Sequence, residues 1–231
     1  MTRSAYFFLL VPGAGGSPWY WHRVVPELEG RGHEAIAVDL PGDDESADLP
    51  DYIDAVVDAA GDRQDLVLVG QSLGGVSAVL ACSRLPVSHL ILVNAVIPRP
   101  GETAGEWWEA TGQAAARMEL DEREGRDPDA DFDPYVYFLH DLDPDLLAAA
   151  TQNAREQAGR PFGTPADFDR WPDVPTHVIV GRDDRFFPAD FQCRVARERL
   201  GIDADVIPGG HLIALARPAA LVDRLVGYVE Q

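Results

Sequence analysis

Leu66-Val67-Leu68-Val69-Gly70-Gln71-Ser72-Leu73-Gly74-Gly75 is the stretch on which the fold turns. Four apolar residues end at a glycine, and from Leu73 onward Val76, Val79 and Leu80 recur at helical spacing. The pattern predicts a buried strand over 66–69, a tight turn, and a helix over 73–85. Glycines at 70 and 74 let strand and helix approach. Ser72 is held at the helix N-terminus, where backbone N–H groups and the helix dipole favour developing negative charge. Gly-x-Ser-x-Gly between a strand and a helix is the pattern of a nucleophile elbow, so Ser72 is a candidate nucleophile. Alone, the same residues also fit an ordinary Ser/Gly turn.

Working outward, near-continuous apolar runs occupy 5–11, 35–40, 90–96, 176–180 and 204–207. Such runs suit strands buried on both faces, as in a parallel sheet with helices on either side. Helical patterns lie between them at 18–30, 50–60, 188–200 and 218–229. The first has Ser17 as a cap candidate, Pro18 at its start and glycines at its end. Strand–helix alternation implies an open, mostly parallel α/β sheet. Residues 98–175 break the rhythm: they are rich in Ala, Asp, Glu, Arg and aromatics and carry no convincing strand. A structureless loop that long is improbable in a compact domain. The expected organisation is therefore a core of 1–97 and 176–231 with a helical cap, 98–175, inserted over the strand ends.

The 231 residues suffice for one domain with a substantial core. Apolar residues make up 46% and charged residues 25%, as in globular proteins. No apolar run approaches the ~20 residues needed to span a bilayer. The N-terminal segment, with Arg3 and a short apolar run, reads as a first strand and not a signal peptide. The net charge of -20 argues against nucleic acid or anionic membrane as a partner. The two cysteines, Cys82 and Cys193, form no CxxC pair, and a reducing cytoplasm is the simplest compartment. No metal-ligand spacing appears among His, Cys and acids, so neither metal nor organic cofactor is expected. Oligomeric state is left open, with a homodimer as one option.

Three further stretches carry chemistry, each after a strand-like run. In Pro12-Gly13-Ala14-Gly15-Gly16 backbone N–H groups can approach a ligand; Pro18 at the last glycine position rules out a dinucleotide fingerprint. Read as acyl-transfer machinery, the N–H of Ala14 pairs with that of Leu73 as an oxyanion hole. In Gly181-Arg182-Asp183-Asp184-Arg185-Phe186-Phe187-Pro188, Asp183 and Asp184 compete as the acid. In Pro208-Gly209-Gly210-His211, His211 precedes the final helix. The other histidines, His22, His33, His89, His140 and His177, lack this context. The order Ser, Asp, His, each after a strand, is that of an α/β-hydrolase triad.

These residues resemble the α/β-hydrolase superfamily, and within it the small esterases similar to plant methylesterases and hydroxynitrile lyases. The likeness runs through 10–21, Asp39-Leu40-Pro41-Gly42, 70–75, 181–188 and 210–218. It implies a three-layer α/β/α sandwich with an inserted helical cap. Gly181, Asp184 and Pro188 match that family's G-x-x-D-x-x-x-P pattern, which favours Asp184 over Asp183. It also implies that Ala14 and Leu73 supply the oxyanion-hole amides, and that Ser72, His211 and Asp184 hydrolyse a carboxylic ester or thioester through an acyl-enzyme. There are departures. Pro12 stands where the family usually has histidine, and Asp43-Asp44 where it often has His-Gly. Leu212 and Gly13 stand where the lyases carry lysine and threonine, which favours hydrolysis; a lyase, cyclase or ligand-binding member is the alternative. The expected substrate is a small hydrophobic ester, met by Trp19, Trp107, Trp108 and Phe187 in an aromatic pocket.

Overall fold

The structure is a computed structural model describing residues 5–230; residues 1–4, Arg3 among them, and Gln231 lie outside it. Among the described residues six strands form one sheet: β1 (Phe7–Val11), β2 (Glu34–Ala37), β3 (Leu66–Gln71), β4 (Val87–Val93), β5 (Thr176–Gly181) and β6 (Asp205–Ile207). Their order is β2-β1-β3-β4-β5-β6 and every neighbouring pair is parallel. Leu10 lies opposite Ala37 on one side and Val69 on the other.

Side chains alternate across the strands, so one run feeds two cores. Phe7, Leu9 and Val11 of β1 pack with α2 (Leu49–Ala60), α3 (Gly74–Ala81) and α9 (Ala189–Leu200). Phe8 and Leu10 pack on the opposite face with α1 (Val24–Gly30), α10 (Ile213–Ala216) and α11 (Pro218–Val229). Burial on both faces is why these strands read as continuous apolar runs. The apolar side chains of β3 from Leu66 to Val69 are all fully buried.

Between β4 and β5 the chain makes α4 (Ala104–Thr111), α5 (Gln113–Arg123), α6 (Pro134–Tyr137), α7 (Pro144–Gln152) and α8 (Arg160–Gly163), with no strand among them. A capping box joins Thr103 and Glu106 at the start of α4. No described helix is long and apolar enough to cross a membrane.

Two helix expectations are corrected. The helix expected over 18–30 is a 3-10 turn, Pro18–Trp21, followed by α1. Pro26 explains the break: within one continuous helix it would lack the N–H for residue 22 and its ring would strike that carbonyl. Starting at Val24 places Pro26 in the first turn, where it is tolerated. The helix expected over 73–85 stops at Ala81, because Pro86 and the start of β4 require the chain to turn first.

Candidate active site

Ser72 sits where β3 turns into α3, and its backbone φ is +51°. This left-handed conformation costs a non-glycine residue about 1–3 kcal/mol and persists only where surroundings enforce it. Here they do. A Cβ on Gly70 would lie 2.8 Å from the Ala78 Cβ, and one on Gly74 only 2.2 Å from the Pro12 carbonyl oxygen. The Ser72 N–H donates to Val93 O at 3.2 Å, and its carbonyl accepts from Val96 N at 3.0 Å.

His211 and Asp184 meet Ser72 at the C-terminal edge of the sheet. The Ser72 Oγ and His211 Nε2 are 3.0 Å apart. His211 Nδ1 and Asp184 Oδ2 are 2.8 Å apart. With Nδ1–H given to the carboxylate, Nε2 is the acceptor of the serine hydroxyl; the tautomer follows from the partners. Ser72 is 8% exposed, His211 2% and Asp184 1%. Asp184 Oδ1 accepts the N–H groups of Phe186 and Phe187 at 2.9 and 2.8 Å, and Gln192 Nε2 donates to Oδ2 at 3.3 Å. The imidazole is stacked on Phe138 and flanked edge-on by Phe186 and Phe187.

Asp183 is turned elsewhere. Both its oxygens accept from Arg182, and Oδ2 also accepts the Gly209 N–H at 3.1 Å. The Arg182 guanidinium holds its carboxyl below the usual carboxylate range, against a smaller opposing effect of burial.

Sequence patterning missed the groups that hold the histidine loop. Asn94 is fully buried, with φ +44°. Its Nδ2 donates to Gly210 O and His211 O at 3.0 and 3.1 Å, while its Oδ1 accepts the Gly181 N–H at 2.7 Å. One carboxamide thus pins the acid loop to the histidine loop. The available signal was an asparagine directly after a strand, a residue enriched in the left-handed region. Asp141, from the segment between β4 and β5, accepts the Gly210 N–H at 2.8 Å. Its neighbour His140 is held below the ordinary histidine range by burial, then by Arg185.

Ala14 and Leu73 flank the serine. The turn closed by Gly16 N–H on Gly13 O, at 3.0 Å, leaves the Ala14 N–H outside its own hydrogen bond. Leu73 precedes α3, where the first amides have no intrahelical acceptor. Ala14, Ser72 and His211 open onto a cavity of about 370 Å³ whose walls include Trp19, Tyr20, Phe138 and Leu212. Burial drives the Tyr20 hydroxyl well above the usual phenol range, so it is a neutral group beside this cavity. Among the described residues no three His, Cys, Asp or Glu side chains cluster so as to hold a metal ion.

Of the aromatic residues expected at the substrate, Trp19 lines the cavity and Trp107, Trp108 and Phe187 do not. Trp107 is 1% exposed and Phe187 is fully buried. Trp107 packs edge-on to Trp108 and lies 5.2 Å from Phe187 and 5.8 Å from Phe191, centroid to centroid. Trp107 turns in against Phe187 and against Phe191 of α9, while Trp108 packs on Phe162 of α8 and on Phe186, so the rings seat the segment between β4 and β5. Trp107→Ala should therefore lower unfolding free energy by about 3–5 kcal/mol in urea titrations. Trp107→Phe should keep most of that stability and leave KM for esters within about twofold, because it removes volume from packing and no ligand contact. A rise in KM with unchanged stability would return Trp107 to the binding surface.

A parallel sheet sandwiched by helices, with a serine elbow, histidine and aspartate at its strand ends, defines an α/β-hydrolase. The chain belongs to the alpha/beta hydrolase family, whose sequence profile matches residues 8–224. Among its relatives, Pyrethroid hydrolase of Sphingobium wenxiniae is 30% identical over 245 aligned positions, covering 96% of this chain and 87% of that protein. Esterase PIR7B of Oryza sativa subsp. japonica is 38% identical over 117 positions, 45% of this chain and 44% of that one, so the chain spans less than half the length of the rice esterase it matches. The fold is also that of polyneuridine aldehyde esterase, with TM-score 0.80 and 22% identity over 98% of this chain and all of the other.

Proposed function

We propose that the protein is a serine esterase that hydrolyses small apolar carboxylic esters with Ser72 as nucleophile, His211 as general base and Asp184 as the orienting acid. The observation that carries this reading is the unbroken hydrogen-bonded chain from the Ser72 hydroxyl through both imidazole nitrogens to a buried carboxylate. In the reaction, Ser72 Oγ attacks the ester carbonyl carbon while its proton passes to His211 Nε2. Asp184 holds the tautomer and stabilises the imidazolium. The carbonyl π electrons move onto oxygen, and the amides of Ala14 and Leu73 receive that oxyanion, each worth about 3 kcal/mol in comparable sites. The C–O bond to the alcohol breaks, and His211 returns the proton to the leaving alkoxide. Water then attacks the acyl-serine with His211 as base, releasing the acid and Ser72. No step calls for a cofactor.

Residues 98–175 act as the cap in this reading. Tyr135, Phe138 and Leu139 from that segment wall the cavity together with Trp19 and Leu212. A cavity of about 370 Å³ falls in the range that encloses small ligands. The apolar wall favours an uncharged acyl or alcohol group, and the similarity to a rice esterase and to a Sphingobium pyrethroid hydrolase supports that chemistry. The lyase alternative is disfavoured by Leu212, an apolar residue on the cavity wall next to His211.

A chain-length series of p-nitrophenyl esters tests the proposal. kcat/KM should rise from acetate to butyrate by up to about fourfold per methylene, since each buried CH2 is worth about 0.8 kcal/mol. Folded protein that turns over none of these esters and takes no fluorophosphonate label would end the esterase reading.

A further inference from the structure

We propose that Gln157 is a positioning residue for the loop that presents the Ala14 amide, coupling the donor geometry beside Ser72 to the seating of the segment between β4 and β5. The proposal rests on the acyl-transfer reading of Ser72 and extends it to a residue that never meets the reacting atoms.

The Gly15 N–H donates to Gln157 Oε1 at 2.8 Å across 142 positions of sequence. The other end of the same carboxamide is committed as well. Its Nε2 donates to Ala158 O at 2.8 Å and to the Tyr52 hydroxyl at 3.0 Å. These partners fix which end is oxygen: a flipped amide would set its NH2 against the Gly15 N–H and its oxygen against the Ala158 carbonyl.

That contact selects a turn. Residues 13–16 close through Gly16 N–H on Gly13 O, and Gly15 has φ +85°. Positive φ at the third residue marks a type II turn. The type I form of the same residues differs by rotation of the Ala14–Gly15 peptide, whose N–H is the one Gln157 holds. An acceptor at Oε1 therefore keeps the type II form; the Ala14 N–H lies on the preceding peptide, so Gln157 steadies it by anchoring the next residue of the loop and not by turning it. The loop is held from outside at two points, by this contact and by Leu40 N–H on Gly16 O at 3.0 Å.

The surroundings show why the tether comes from so far away. A Cβ on Gly15 would lie 2.8 Å from Arg155 O, and one on Gly42 would lie 2.3 Å from Gly15 O. The Ala158 N–H donates to Gly42 O at 2.7 Å, and Arg155 pairs with Asp39 at 2.6 Å. Three backbones thus nest: the loop after β1, residues 155–158, and Asp39-Leu40-Pro41-Gly42 after β2. This gives the Asp-Leu-Pro-Gly turn, which the triad chemistry does not use, a place in the machinery. When 155–158 lifts, the Gly15 N–H loses its acceptor and the oxyanion donor loses its support.

The test compares Gln157→Leu with Gln157→Glu. Leucine removes the acceptor at nearly constant volume; glutamate keeps an oxygen for Gly15 and its second oxygen can accept from the Tyr52 hydroxyl, but that oxygen also faces the Ala158 carbonyl. Steady-state hydrolysis of p-nitrophenyl butyrate should show kcat lowered about tenfold to a hundredfold in the leucine variant, with KM within twofold, as expected when a catalytic group is slightly misplaced. The glutamate variant, which keeps the Gly15 acceptor at the cost of opposing the Ala158 carbonyl, should lose clearly less kcat than the leucine variant. Backbone amide exchange over residues 13–16, which needs no turnover, should lose protection in the leucine variant and keep it in the glutamate variant. The proposal is overturned if the leucine variant keeps its kcat, if it raises KM alone, if both variants fall equally, or if exchange over 13–16 does not change. Lack of any parental ester turnover would instead remove the hydrolase reading, and the catalytic half of this proposal with it.

Discussion

Ser72→Ala should abolish stoichiometric labelling by a fluorophosphonate and lower kcat on p-nitrophenyl esters by about 10^6, the loss seen when the nucleophile of a serine triad is removed. The size of the effect follows from what the side chain does. In the proposed reaction its oxygen forms the bond to the acyl carbon, and its proton is the one His211 takes. Alanine leaves the Ala14 and Leu73 amides and the cavity in place, so on the proposed mechanism a residual rate of about 10^3-fold over water should survive from binding and polarisation alone. The fold should survive too. Serine already occupies φ +51° at this position, so alanine adds no new backbone strain, and the elbow glycines and the Ser72 backbone bonds to Val93 and Val96 remain. The lost partner of His211 Nε2 faces the cavity, where water can replace it. Circular dichroism and a thermal midpoint within a few degrees of the parent would establish that the variant is folded. Labelling that persists in folded Ser72→Ala protein would move the nucleophile to another residue and dissolve the triad argument.

The fold was legible because parallel strands buried on both faces read as near-continuous apolar runs, although the runs at 35–40 and 90–96 each continue three residues past the ends of β2 and β4. The runs at 66–69 and 176–180 lie within β3 and β5 and fall at most two residues short. What stayed illegible belongs to contacts that cross the chain. Periodicity over 18–30 ran straight through Pro26, although a proline eight residues into a helix forbids it on its own. Asn94 fell inside the run read as a strand over 90–96; that its carboxamide reaches Gly181, Gly210 and His211 depends on three segments meeting. Gln192 lies eight residues after Asp184 and reaches back to it only because α9 begins at Ala189 and turns that face inward. The aromatic residues were the poorest guide. Composition cannot tell a ring that lines a cavity from one that packs two helices together, and Trp107, Trp108 and Phe187 are of the second kind.

The choice between the adjacent acids yields the second large effect. Asp184→Asn should lower kcat by about 10^4, while Asp183→Asn should change it by no more than about threefold. The difference lies in the acceptor count. All the contacts around the Asp184 carboxylate are donors: two backbone N–H groups at Oδ1, and His211 Nδ1–H with Gln192 Nε2 at Oδ2. An asparagine must turn its NH2 toward one of these pairs. Facing Phe186 and Phe187, it opposes two fixed amides that cannot rotate away. Facing His211, it forces the imidazole to accept at Nδ1 and carry its proton on Nε2. That tautomer presents N–H to the Ser72 hydroxyl and cannot take its proton. The substitution therefore disables the base without removing it, and KM should move little because Asp184 does not line the cavity. Asp183→Asn loses charge pairing with Arg182 at a site whose side chains are 42% and 62% exposed, where such pairs contribute about 0–1 kcal/mol. Its remaining carbonyl oxygen still accepts the Gly209 N–H. Measuring both variants on one ester decides the assignment. A 10^4-fold loss at 183 with a small effect at 184 would mean that the histidine loop rotates in solution to a partner other than the one it faces here, and the hydrogen-bonded chain on which the esterase reading stands would have to be redrawn.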